Sequence, residues 1–156
     1  MGNVRRAMLD LGMAYESPGG KEWPEYPDGV SHVIEAMQDG SPVAEYLAEW
    51  YPEQGVPTEA DMDRAKLYIV ESDDVRRDHP AGGTTIPLHK FGSNDGWVVT
   101  PAECLESLAA WHARTAGERD DALVEAKITG PDWADIWKRW LEFIELAAHC
   151  DGFEVH

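Results

Sequence analysis

The sequence predicts a mainly α protein, a single helical domain over residues 1–156 with a small β-hairpin near residues 84–99. Two observations predict the helices. Apolar residues recur at steps of three and four through most of the chain, the spacing that gathers them on one helical face. Pro42, Pro101 and Pro131 each stand where a first helical turn would begin, the one helical position that suits proline. A third observation predicts the exception: TTIPLHKF and GWVVT flank the turn-rich set GSND, the pattern of two strands and a connection.

Taken in order, residues 3–15 read as a short helix capped by Asn3, with Val4, Met8, Leu11 and Tyr15 on one line. ESPGGKEWPEYPDG follows, where three prolines and three glycines in fourteen residues preclude a helix or a central strand. Trp23 and Tyr26 should fold this loop onto the body. Residues 31–39 predict a helix capped by Ser31, with Val33, Ile34 and Met37 buried. Ser41-Pro42 opens another, with Val43, Tyr46, Leu47 and Trp50 as its apolar face and Pro52 and Gly55 as its end. From Thr58 to about residue 72 helical spacing continues through Met62, Ala65 and Ile69, although residues 66–70, KLYIV, also suit a strand.

In the β segment, Pro87 requires an edge position because it has no N–H to donate. Thr100 and Glu103, with Pro101 between them, form the capping box S/T-x-x-E and open a helix through Leu105, Leu108 and His112, expected to break at Gly117. ERDDALVEAKI predicts one more helical piece. The strongest signal is the last helix, from Pro131 to a stop at Gly152. Trp133, Ile136, Trp137, Trp140, Leu141, Ile144, Ala147 and Ala148 share its apolar stripe, with Asp135, Lys138, Arg139, Glu142 and Glu145 opposite.

The segment NDGWVVTPAEC (94–104), the Trp-rich helix and the ending HCDGFEVH (149–156) together resemble small acidic proteins of actinobacteria and their phages. The resemblance spans roughly residues 86–156, and those proteins tend to carry two glycines where this chain has Asp151-Gly152. It implies a source, and no activity or site residue.

Composition bounds the function. Thirteen basic against thirty acidic residues give a net charge of -17, which argues against direct binding to a nucleic-acid backbone or an anionic membrane. No apolar run approaches the ~20 residues that cross a bilayer. Asp10 and Glu16 interrupt the first segment, against a signal peptide, so the expected compartment is the cytoplasm. The acid is uneven. Residues 31–60 hold six carboxylates (Glu35, Asp39, Glu45, Glu49, Glu53 and Glu59) and no Lys or Arg, whereas residues 61–90 hold six acidic and five basic groups.

Chemistry-bearing motifs are sparse. His79, His89, His112, His149 and His156 with Cys104 and Cys150 show no metal-ligand spacing, so no metal or cofactor is expected. Cys104 reads as a small core residue; paired with His89 it would be a nucleophile, whereas His112 lies two helical turns away. The acidic pairs Asp61/Asp63 and Asp73/Asp74 read as solvated. No catalytic residue is assigned. The expectation is a non-enzymatic cytoplasmic binding protein, of immunity, anti-defence or regulatory type, whose acidic surface at Glu35, Asp39, Glu45, Glu49 and Glu53 meets a basic protein partner. A small enzyme with a Cys/His or carboxylate site and a structural component of a virion are the alternatives.

Overall fold

The chain is mainly α, with 58% of it helical. The computed structural model describes residues 2–93 and 95–156. In chain order the elements are α1 (Gly2–Asp10), β1 (Ala14–Tyr15), α2 (Ser31–Asp39), α3 (Val43–Trp50), α4 (Glu59–Arg76), β2 (Ile86–Pro87), a 3-10 turn (Leu88–Phe91), β3 (Trp97–Val99), α5 (Pro101–Ala113), α6 (Ala116–Glu125), α7 (Pro131–Ala148) and β4 (Phe153–Val155). They gather into two compact units, Met1–Lys21 with Arg76–His156, and Glu22–Val75.

In the first unit α1 stops earlier than its apolar spacing predicts. Gly12 takes φ 73, and the amides of Gly12 and Met13 close back onto Leu9 O and Met8 O at 2.9 and 2.8 Å, a glycine-led helix stop. Tyr15 therefore leaves the helix for β1, and its hydroxyl donates to Pro80 O at 2.5 Å. β1 runs parallel to β2, with Ala14 opposite Ile86 and Tyr15 opposite Pro87. β3 runs antiparallel to β4, with Trp97 opposite Val155 and Val99 opposite Phe153. Strand thus forms in both halves of residues 84–99, but each half pairs with a distant segment and not with the other. The physical reason is local: Pro87 cannot continue a ladder, and the chain after it coils into the 3-10 turn. Asn94, in the expected connection, lies outside the described residues.

α7 packs on α5 and carries the core of this unit. Trp137, Ile144, Ala147 and Ala148 are buried with Met8, Leu11, Met13, Ile86, Val99 and Cys104. Ile136 is exposed, since it lies about 100° around the helix from Trp137 and misses the buried line. The capping box of α5 is present in both its bonds. A second box, Thr115 with Glu118, opens α6. Gly117 therefore sits inside α6, and α5 ends at the extended Arg114 instead.

In the second unit Val30, Val33, Ile34 and Ala65 form a core, with Met37, Met62, Tyr68 and Ile69 against it. Residues 66–70 are helical, part of α4. Tyr26 lies edge-on to Tyr68, with centroids 4.9 Å apart. Ser31 does not cap α2; Val30 holds that position without a side-chain bond. Ser41 likewise leaves α3 uncapped, its hydroxyl going to Asp39, and Pro42 takes the cap position. Trp50 is 63% exposed: helical spacing aligns it with Val43 and Leu47, but it stands at the last position of this short helix.

Candidate functional site

The acidic face falls on α2, α3 and the turn after α3, all within Glu22–Val75. Glu35, Asp39, Glu45, Glu49 and Glu53 are all exposed. None of them takes part in an ion pair among the described residues, whereas Asp61 and Asp63 on α4 pair with Arg64 and Lys66. Glu45 and Glu49 are one turn apart on α3 and share a face, a mildly repulsive arrangement.

Beside these carboxylates is apolar surface. A cavity of about 210 Å³ is lined by Leu47, Ala48, Tyr51, Pro52, Val56 and Pro57, among others. Ala44, Ala48 and Pro52 of this lining are the chain neighbours of Glu45, Glu49 and Glu53. Tyr51 links the two helices: its ring lines the cavity, and its hydroxyl donates to Glu35 on α2. That bond pushes the Tyr51 hydroxyl up to about 12, because removing its proton would set a second anion against the carboxylate. The Tyr46 ring stacks at 6.4 Å on Tyr51 and lies 6.5 Å from Trp50. The five acidic residues singled out by composition thus share a region with an open, partly aromatic pocket that composition did not reveal.

The thiol site is differently placed. Cys104 is fully buried in the core of the first unit, and burial pushes its thiol up to about 12. A thiolate nucleophile is disfavoured there. His89 directs its Nδ1 to Ser17 Oγ, 2.7 Å away, and His112 is exposed. Among the described residues no group of three or more His, Cys, Asp or Glu is placed to hold a metal ion. His156 reaches Glu154 at 2.9 Å.

Two polar constellations escape sequence reasoning. Lys90, fully buried, donates from Nζ to Val98 O and to both oxygens of Glu103. Glu103 Oε1 is also 2.6 Å from His79 Nδ1, and His79 Nε2 lies 2.8 Å from Gly83 O. The capping box announces the Glu103 bond to Thr100 N and nothing of the rest. The second constellation is Ser17 with His89, joined across a large sequence separation and preceded by no motif.

No protein-family model, curated protein or solved structure matches this chain. Among the described residues no helix is long and apolar enough to cross a membrane.

Proposed function

We propose that this chain is a cytoplasmic binding protein that takes a basic segment of another protein on the face formed by α2, α3 and the turn after them. The observation that carries the reading is the juxtaposition of unpaired carboxylates with an open apolar cavity. Glu35, Asp39, Glu45, Glu49 and Glu53 have no cationic partner among the described residues, and the cavity beside them is lined by Val56, 91% exposed, and by Tyr51, whose chain neighbour Trp50 is 63% exposed. Carboxylates alone would serve solubility. Carboxylates around an apolar recess offer a partner both charge steering and a place for an anchoring side chain. The tyrosine and tryptophan rings add faces on which Lys or Arg can rest. An immunity, anti-defence or regulatory factor acting on a basic protein would use such a surface.

The test uses two synthetic helical peptides of equal positive charge, one with a leucine or tryptophan anchor and one without. The anchored peptide should bind more tightly, and its association should slow steeply with salt, because exposed charges are screened over ~8–10 Å at physiological ionic strength. Reversing Glu45 and Glu49 to Lys should weaken binding by roughly tenfold or more, about 1.4 kcal/mol. Reversing Asp120 and Asp121 on α6, also exposed, controls for net charge and should do much less. Equal effects of the two reversals, with no preference for the anchored peptide, would sink the reading and leave the acid as a solubility feature.

A further inference from the structure

The loop after β1 reads Glu16-Ser17-Pro18-Gly19-Gly20. It closes on the 3-10 turn so that Ser17 Oγ meets His89 Nδ1 at 2.7 Å. Gly20 permits this closure, since a Cβ there would fall 2.6 Å from the Trp97 ring and 2.9 Å from His89 Nε2. Trp97 packs on the imidazole in a T-shaped contact, 4.7 Å between centroids. The ring is therefore clamped with one nitrogen on the serine. Its Nε2 is buried and meets no hydrogen-bond partner among the described residues. The pair opens onto a cleft of about 450 Å³ lined also by Arg5, Glu16 and Leu88. All these residues belong to the first unit, whereas those of the acidic face belong to Glu22–Val75.

We propose that Ser17 is a nucleophile for acyl transfer from small esters, with His89 as the base that takes its proton. With the ring proton on Nε2, Nδ1 accepts from the Ser17 hydroxyl, the arrangement nucleophilic catalysis requires. The Oγ lone pair attacks the ester carbonyl carbon, the hydroxyl proton passes to Nδ1, and the carbonyl π pair moves onto oxygen. Collapse breaks the bond to the leaving alkoxide, which takes the proton from Nδ1. Water then attacks the acyl-serine, gives its proton to Nδ1, and Ser17 Oγ recovers it as the acid departs. Arg5 lines the same cleft, with its Nη1 donating to Phe91 O at 3.4 Å, and its positive charge would favour an anionic carbonyl oxygen or a substrate that carries a carboxylate. Burial first, and the nearby Lys90 charge second, lower the His89 pKa, which keeps the ring neutral and able to accept a proton. Among the described residues no carboxylate contacts Nε2, so this is a dyad, and turnover should be slow beside that of a full triad.

The full chain is treated with a fluorophosphonate, and the modified peptide is identified by mass spectrometry; 4-nitrophenyl acetate reports turnover. Labelling should concentrate on Ser17, vanish in Ser17→Ala, and slow by roughly tenfold or more in His89→Gln, the range expected when a general base is lost. Thermal melts establish that each variant is folded. Should His89→Gln not fold, Ser17→Ala decides, since that substitution removes only a hydroxyl from a loop. Labelling spread over other serines, labelling of Ser17 at an unchanged rate in folded His89→Gln, or ester turnover that persists in Ser17→Ala would overturn the proposal.

Discussion

Lys90 Nζ, fully buried, donates to both carboxylate oxygens of Glu103, at 2.7 and 2.9 Å, and to Val98 O at 2.7 Å. All three ammonium protons are used. The carboxylate is equally occupied, since Oε2 also accepts from Thr100 N at 2.7 Å. One glutamate therefore caps α5, anchors the chain before β3 through Lys90, and meets His79. A buried pair contributes little net stability against apolar substitutes, but removing one partner strands the other charge. We expect Lys90→Met and Glu103→Gln each to cost about 3–5 kcal/mol. The double variant should cost less than their sum by 1 kcal/mol or more. Denaturant melts of the four proteins measure this; strict additivity would mean that the two charges are not coupled.

The two thiols should behave oppositely. Cys150 is exposed and Cys104 buried. A thiol reagent at neutral pH should modify Cys150 at once and Cys104 only at the rate of unfolding. Fast double labelling would show that the core around Cys104 opens readily.

Cys104 also sets an alkaline limit. Its thiol is raised from an ordinary 9.0 to about 12 by burial, so between these values the unfolded chain has lost a proton that the native chain keeps. Stability from this group is complete below about pH 9 and is lost as pH rises toward 12. Melts at pH 8 and pH 10.5 should show a larger loss for the wild type than for Cys104→Ala. Equal losses would place the alkaline sensitivity elsewhere, for example in Tyr15 and Tyr26, whose hydroxyls burial also raises.

The indole stripe of α7 is not uniform. Trp137 is 4% exposed and lies 5.7 Å from the Trp111 ring, whereas Trp140 is half-buried among Phe91, Phe143 and Phe153. Trp137→Ala should cost about 3–5 kcal/mol. Trp140→Ala should cost less, about 1–3 kcal/mol, because solvent already reaches part of the ring. Denaturant midpoints that reverse this order would show that the aromatic cluster, and not the α5–α7 seam, carries the unit.

Gly152 joins α7 to β4 at φ 80, and a Cβ there would lie 2.0 Å from Val99 O. Two demands coincide: a left-handed backbone and close approach to β3. Gly152→Ala should therefore cost clearly more than the ~1 kcal/mol expected from the backbone conformation alone. It should also loosen the β3–β4 ladder, read as faster amide exchange at Val98 and Val99. A loss below that figure with unchanged exchange would mean that β4 shifts freely.

What the sequence determined by itself is local. α7 begins at Pro131, and Thr100 with Glu103 opens α5, because helix formation and capping depend on residues three and four apart. The acidic face is compositional, so Glu35, Asp39, Glu45, Glu49 and Glu53 could be picked out without coordinates. The cap at Thr115 was equally readable, since Glu118 stands three residues on. Tertiary structure alone decided that Trp97 pairs with Val155, that Tyr51 brings Glu35 to the α3 cavity, that Lys90 is buried on Glu103, and that Ser17 meets His89. Each joins segments whose own spacing carries no trace of the other. Such contacts arise only when packing brings distant backbone and side chains into register, and a polar group so trapped takes whatever partner the fold supplies.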